Sequence, residues 1–341
     1  MNGRYADTST FVSTIAAVLG AALALTACAP DEPERASIRI DGSSTVHPIT
    51  QAVVDAFLVD DRISTAIAVN VSGTGGGFEQ FCAGNTDISN ASRPISVEEM
   101  DACREAGIAY IELPIAFDAL TVVANVKNDW LDSITVRELK AIWEPAAKGT
   151  VKRWNQVSVE YPDRPLNLYA PGRDSGTFDY FTEAIVGTAG ASRDDYLAAE
   201  DDEILVQGVS QDPNALGYFG MAYYEANSDG LKAIAIDNGS GPILPSPETV
   251  HAAQYRPLAR PLFIYVNAES AQNNPSLREF VKFYMENASF VIPTVGYIAL
   301  TDESYHINEV TFHNNEVGTV FGGRSQFDLT IPELQRRRAE F

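Results

Sequence analysis

Three times the chain passes from a short apolar run, through a loop of small hydroxyl and glycine residues, into an amphipathic helical pattern. The fullest instance is Tyr169-Ala170-Pro171-Gly172-Arg173-Asp174-Ser175-Gly176-Thr177-Phe178. The others are Asp41-Gly42-Ser43-Ser44-Thr45-Val46 and Val71-Ser72-Gly73-Thr74-Gly75-Gly76-Gly77-Phe78. Repeated strand–loop–helix units bury their apolar faces only by stacking helices on a sheet, which places the chain in the α/β class. The same repetition carries a chemical consequence. The first N–H groups of a helix have no partner within it and point into the preceding loop, so each helix start is a ready anion site. Taken singly, each loop reads as an ordinary Ser or Thr helix cap. Taken together, Ser43, Ser44, Thr45, Val46, Thr74, Gly75, Ser175, Gly176 and Thr177 supply enough short donors to surround one oxyanion.

The periodicities extend this pattern over most of the chain. Ile38 and Ile40 alternate as a first strand, and Ile49, Ala52, Val53, Ala56 and Phe57 form a helical stripe with Pro48 in its first turn. A second strand is expected over residues 66–71, followed by the glycine loop and a short helix around residues 78–82. Ser96 with Glu99, Thr135 with Glu138 and Ser276 with Glu279 have capping-box spacing. The sheets are expected to be mainly parallel. Residues 113–125 and 256–267 each carry proline ahead of a β-rich run, as strands that leave one sheet for another. Two such crossings make the middle of the chain one domain and its two ends the other.

Charge narrows the partners. A net charge of −22 argues against nucleic acid and anionic membrane surfaces, which need clustered Lys and Arg. A buried small-anion site is not excluded, because solvent screens distant carboxylates over roughly 8 Å. At the N-terminus, Arg4 precedes an apolar stretch at residues 11–27 that ends Leu25-Thr26-Ala27-Cys28, the pattern of a bacterial lipobox. Residues 1–27 then form a signal peptide, Cys28 carries the lipid, and residues 28–36 are a polar tether, with an uncleaved membrane anchor as the alternative. Cys82 and Cys103 remain as an even pair, expected as a disulfide in an oxidising compartment, with two buried free thiols as the alternative. No C-x-x-C pair occurs and the four histidines lack ligand spacing, so no metal or other cofactor is expected.

Ser89-Asn90-Ala91-Ser92-Arg93-Pro94-Ile95 adds a guanidinium in a polar loop, able to grip an anion in bidentate fashion or to pair with a surface carboxylate. With this segment included, the chain resembles the phosphate-binding proteins of Pst-type ABC importers. Ser43-Ser44-Thr45, Ser72-Gly73-Thr74-Gly75-Gly76, Asp87-Ile88-Ser89-Asn90-Ala91-Ser92-Arg93 and Asp174-Ser175-Gly176-Thr177-Phe178 occur in the family's order. Trp154-Asn155-Gln156, Ala215-Leu216-Gly217-Tyr218-Phe219 and Arg260-Pro261-Leu262-Phe263 match as well, so the likeness spans most of residues 36–325.

The resemblance implies a type II periplasmic-binding-protein fold of Venus-flytrap form with two crossover strands. Domain I would hold residues 37–117 plus 259–341, and domain II residues 118–258. It implies inorganic phosphate in the cleft, held by Ser44, Thr45, Val46, Thr74, Gly75, Arg93, Asp174, Ser175, Gly176 and Thr177, with Ser43, Ser92 and Arg173 as further candidates. Arg93 stands where some family members have Asp and others Arg. An Asp accepts the proton of hydrogen phosphate and an Arg does not, so Asp174 is the candidate acceptor here, with a helix-capping role as its alternative. The implied protein is a monomeric, non-enzymatic receptor, lipid-anchored outside the cytoplasmic membrane and partnered with an ABC permease. A receptor for sulfate or molybdate, or a phosphatase-type enzyme, are the rival readings; no glycine-lysine pair exists to form a nucleotide-binding P-loop.

Overall fold

The computed structural model describes Met1 and residues 37–59, 65–173, 175–199, 201–323 and 330–337. The expected signal peptide, Cys28, the tether and Asp174 lie outside the described residues. The described residues from 37 onward cluster as one compact unit.

In chain order the strands are β1 (Ser37–Gly42), β2 (Ala66–Val69), β3 (Ile88–Ala91), β4 (Tyr110–Asn125), β5 (Ser133–Thr135) and β6 (Asn167–Pro171). Then follow β7 (Leu197–Ala199), β8 (Ala215–Gly220), β9 (Leu231–Ala233), β10 (Ala235–Asp237), β11 (Pro242–Ile243), β12 (Ala259–Asn267) and β13 (Ile298–Ala299). The main sheet has the order β2-β1-β3-β12-β4-β8-β6-β7, with β9 and β13 also pairing β4. β5, β10 and β11 form a small separate sheet.

β4 is the axis of this arrangement. All of its residues are buried. Residues 110–119 pair with β12, and residues 120–125 pair with β8 and β9, so one strand serves two groups of neighbours. β1 runs parallel to β2 and β3, and β6 runs parallel to β7 and β8, as strand–helix–strand units require. The sheet is nevertheless mixed, not mainly parallel: β12 is antiparallel to β3 and β4, and β4 is antiparallel to β8 and β9. β4, reached from β3 through the helix Val97–Glu105, keeps the direction of β1 and β3; β12 runs against that set, and β4 runs against β8.

The first helices differ from expectation in informative ways. α1 (His47–Phe57) keeps Pro48 in its first turn, but its buried stripe is Ile49, Thr50, Val53, Val54 and Phe57, with Ala52 and Ala56 half-buried. The rotation turns the larger Val54 inward and lets the Thr50 hydroxyl donate to Asn90 Oδ1 at 3.0 Å. α2 (Gly73–Cys82) begins five residues earlier than Phe78, so the glycines are its first turns and not a loop before it. Close packing overrides glycine's poor helix propensity there: a Cβ on Gly77 would lie 2.5 Å from Gly42 Cα on β1.

α3 (Val97–Glu105) and α4 (Val136–Trp143) start at the capping boxes expected from Ser96/Glu99 and Thr135/Glu138. The Ser276/Glu279 box is not formed. Asn274 caps that helix, accepting from Ser276 and Leu277 N–H, because Pro275 already occupies its first turn. β3 takes in Ser89, Asn90 and Ala91, all buried, so the polar loop that holds Arg93 is shorter than the sequence suggested. A disulfide joins Cys82 at the end of α2 to Cys103 in α3, as expected.

Candidate functional site

The first loop leaves β1 at Gly42, whose φ of 136° and position against β3 admit no side chain; a Cβ would meet Asn90 O at 2.2 Å. Ser43 N then donates to Asn90 O at 2.9 Å, and His47 N donates back to Ser43 O at 3.1 Å. That turn commits the Ser43 N–H. The next three, on Ser44, Thr45 and Val46, donate to no acceptor among the described residues. Val46 itself is fully buried.

The second loop contributes the start of α2, where the N–H groups of Gly73, Thr74 and Gly75 lie beyond the reach of intrahelical carbonyls. Thr74 Oγ1 lies 3.1 Å from Ser92 Oγ and accepts from Ser92 N at 3.2 Å, which ties this helix start to the loop after β3. The third loop enters α5 (Gly176–Phe181). Ser175 is the N-cap: its Oγ accepts from Thr177 N at 3.2 Å, while its own N–H donates to Gly172 O. Two of the expected donors are thereby taken up by the turn itself. Gly176 faces the first loop directly, and a Cβ there would lie 2.6 Å from Thr45 Oγ1.

A cavity of about 210 Å³ lies between these loops. Ser43, Ser44, Thr45, Thr74, Gly75, Ser92, Arg93 and Gly176 of the expected set are on its wall; Val46, Ser175, Thr177 and Arg173 are not. The exposed Arg173 sits with its guanidinium 5.7 Å from the Phe178 ring centroid. Arg93 is on the wall but engaged: Nη1 and Nη2 donate to the two Glu99 carboxylate oxygens, each at 2.8 Å. This hydrogen-bonded pair holds the Arg93 pKa above its ordinary value, against the opposing effect of burial.

Three charged wall residues were not foreseen as ligand contacts: Arg260, Asp179 and Glu183. Arg260 lies on β12 opposite Asp118 on β4. Its Nη2 donates to Asp118 Oδ2 at 3.2 Å and to Thr45 Oγ1 at 3.3 Å, and its guanidinium stacks 3.8 Å from the Tyr180 ring centroid. Tyr180 is fixed in turn by donating its hydroxyl to Pro257 O at 2.8 Å. Burial raises the Asp118 carboxyl pKa, and the attraction of Arg260 opposes that rise. An arginine inside an apolar strand must be paired or liganded, and that was the available signal in Arg260-Pro261-Leu262-Phe263. Burial likewise raises Asp179, with Arg260 again acting in the opposite sense. Among the described residues, no group of three or more His, Cys, Asp or Glu is arranged to hold a metal ion.

The cavity is lined by hydroxyls, helix-start N–H groups, two guanidiniums and two carboxylates. Residues 27–288 match the family model described as a PBP superfamily domain. The chain is 61% identical over 319 residues to Protein SphX of Synechocystis sp., covering 94% of each. It is 36% identical over 295 residues to the phosphate-binding protein PstS of Staphylococcus saprophyticus, covering 84% of this chain and 89% of that one. The crystal structure of a possible phosphate binding protein from Planctomyces limnophilus is similar with a TM-score of 0.76 at 40% identity, covering 82% of this chain and 99% of that one. The chain therefore belongs to the PBP superfamily, with a bilobed α/β binding-protein fold, among the SphX and PstS proteins.

Proposed function

We propose that this protein is a solute-binding receptor that captures inorganic phosphate outside the cytoplasm and passes it to an ABC permease. It is a transport receptor and not an enzyme, in keeping with its SphX and PstS relatives. The observation that carries the phosphate reading is the convergence of three loop–helix starts on one cavity of about 210 Å³, lined by hydroxyls, backbone N–H groups and two guanidiniums. Such a lining replaces the hydration of a tetrahedral anion, whose unpaired burial would cost several kcal/mol or more.

In this reading Ser44, Thr45 and Val46 bind through the first loop, Thr74 and Gly75 through α2, and Ser92 and Arg93 through the loop after β3. Ser43, Asp174, Ser175, Gly176 and Thr177 complete the proposed set. Arg260 joins it as the cation best placed between loops, since its guanidinium already meets the Thr45 hydroxyl. Lipidation at Cys28 anchors the receptor, which acts as a monomer.

The proposed architecture is the type II one, with β4 and β12 as crossover strands between residues 37–117 plus 259–341 and residues 118–258. The Arg260–Asp118 pair stands at that crossing. An anion that contacts loops on both sides binds the closed form better and shifts the population toward it. Calorimetric titration of ligand-stripped protein with phosphate, arsenate, sulfate and molybdate tests the reading. Binding of sulfate or molybdate in place of phosphate refutes it, and turnover of a chromogenic phosphate ester would move the protein to the enzymes.

A further inference from the structure

Tyr265 is a fully buried phenol that does not line the anion cavity, yet it touches two of the elements that build the cavity wall. It stands on β12 directly opposite Glu112 on β4. Its hydroxyl donates to Glu112 Oε2 at 2.7 Å and accepts from Ile95 N at 2.9 Å. Its ring meets the Phe78 ring of α2 edge-on with centroids 4.8 Å apart, and the Arg93 guanidinium lies 5.8 Å from the Phe78 centroid. Ile95 is fully buried and follows Arg93 by two residues, so Tyr265 pins the far end of the loop whose near end, Ser92, is tied to Thr74. The segment that presents Ser92 and Arg93 to the cavity is thereby held at both ends, one of them through Glu112.

Glu112 is a buried carboxylate whose donors are all neutral: Tyr265, the Thr319 hydroxyl at 2.6 Å and Val320 N at 3.0 Å. Burial pushes it up to about 7 while those donors pull the other way, so its charge changes near neutral pH. The other titratable and charged groups around it are Tyr110 on β4, and Glu316 and Arg337, which line a small cavity of about 30 Å³ with it. Burial holds the Tyr265 phenol well above its ordinary pKa, so it stays a donor on both sides of that change. A hydrogen bond to an ionised acceptor is roughly twice as strong as one to a neutral acceptor, and a phenol that donates strongly accepts better at its own oxygen. Ionisation of Glu112 therefore tightens both Tyr265 contacts together.

We propose that Tyr265 is a positioning residue of the anion site and that Glu112 behind it makes the site sensitive to pH, its ionised form holding Ile95, and with it Ser92 and Arg93, in the ligand-binding arrangement. This rests on the receptor reading above. Neither side chain meets the ligand; both act through the backbone of the loop after β3.

The test is calorimetric titration with phosphate between about pH 5 and about pH 9, on the intact mature protein and on Glu112→Gln, Tyr265→Phe, Thr319→Val and the Glu112→Gln/Tyr265→Phe double variant, each checked for melting without ligand. Comparing variants at equal pH cancels the titration of phosphate and of the cavity wall, which they share. The affinity advantage of wild type over Glu112→Gln should grow on the order of 3- to 10-fold from the low to the high end of that range, the worth of one strengthened hydrogen bond. In Tyr265→Phe, which keeps the ring against Phe78, Glu112→Gln should add no further pH dependence. Thr319→Val removes a Glu112 donor that lies off the path to Ile95, so it should move the rise to higher pH without lowering the affinity reached. A wild-type advantage over Glu112→Gln that stays flat with pH overturns the inference, since a merely structural role gives that result. So does a rise that survives in the Tyr265→Phe background, or one that Thr319→Val fails to move; the latter comparison decides the matter if Tyr265→Phe does not fold. Wild-type protein that binds no phosphate at any pH overturns the receptor reading itself, a result distinct from binding whose pH profile ignores Glu112.

Discussion

Adding one methyl group at Gly176 should separate ligand binding from stability. The backbone there has no positive φ, so alanine fits the helix start without strain. The new Cβ would lie 2.6 Å from Thr45 Oγ1 and 3.4 Å from Ser44 Oγ. Thr45 cannot swing aside freely, since it is buried and its hydroxyl accepts from Arg260 Nη2 at 3.3 Å. Relief requires the first loop and α5 to part until that contact reaches ordinary van der Waals distance. A shift of that size misplaces one or two donors that a phosphate held between the loops would use, each worth about 1.5–3 kcal/mol when the acceptor is charged. Gly176→Ala should therefore weaken phosphate binding on the order of 10- to 100-fold. Unfolding stability should stay within about 1 kcal/mol, because alanine also reduces the entropy of the unfolded chain. Calorimetry and urea unfolding on the same preparation measure the two quantities. Affinity within threefold of wild type would refute the argument, since the loops would then not close on the ligand at the distance seen here.

Arg260→Met should cost about 3–5 kcal/mol of stability in urea by leaving Asp118 buried and unpaired, and Arg260→Met with Asp118→Asn should recover most of it; a neutral single variant would place the pair outside the packed interior. Replacing both Cys82 and Cys103 by alanine should lower stability by about 3 kcal/mol, from the loop that the bond closes in the unfolded chain, and peptide mapping without reductant should recover the 82–103 cross-link. Burial pushes the Glu112 carboxyl up to about 7 although Tyr265, Thr319 and Val320 all donate to it. Its folded pKa exceeds its unfolded one, so its contribution is greatest at low pH and is lost as pH rises from about 4.5 to about 7. The stability difference between wild type and Glu112→Gln should change by about 3 kcal/mol over that window, and a flat difference would mean an unperturbed carboxyl.

What the sequence made legible was local. The Ser96/Glu99 and Thr135/Glu138 caps, the Pro48 start and the disulfide all follow from groups within a turn or from compartment chemistry, and the structure contains them. The three loops could likewise be read because each joins a strand and a helix adjacent in the chain. The failures have the opposite character. Gly73 to Gly77 looked like a loop because glycine disfavours helix, yet α2 must approach β1 more closely than any side chain permits. The antiparallel sense of β4 and β12 left no mark on the alternation of apolar residues, which reports only burial on a face.

The two guanidiniums show why the site was harder to read than the fold. Arg93 invited attention because it follows a strand in a polar loop, where sequence neighbours are polar and a free charge is plausible. The structure gives it a bidentate partner six residues on, Glu99, which also closes the capping box by accepting from Ser96 N at 2.8 Å. A carboxylate with two structural duties is held in place, so Arg93 reaches a ligand only with its charge already balanced. Arg260 looked like a strand residue, yet β12 sets it beside Asp118 and against Thr45, from segments 142 and 215 residues away in the chain. Its position depends on the register of two long strands, and no spacing within either strand encodes that register. Loss of phosphate affinity should accordingly be steeper for Arg260→Lys than for Arg93→Lys when each is compared with its own change in stability. Lysine at 260 cannot both pair with Asp118 and donate toward Thr45 in the planar geometry that arginine supplies.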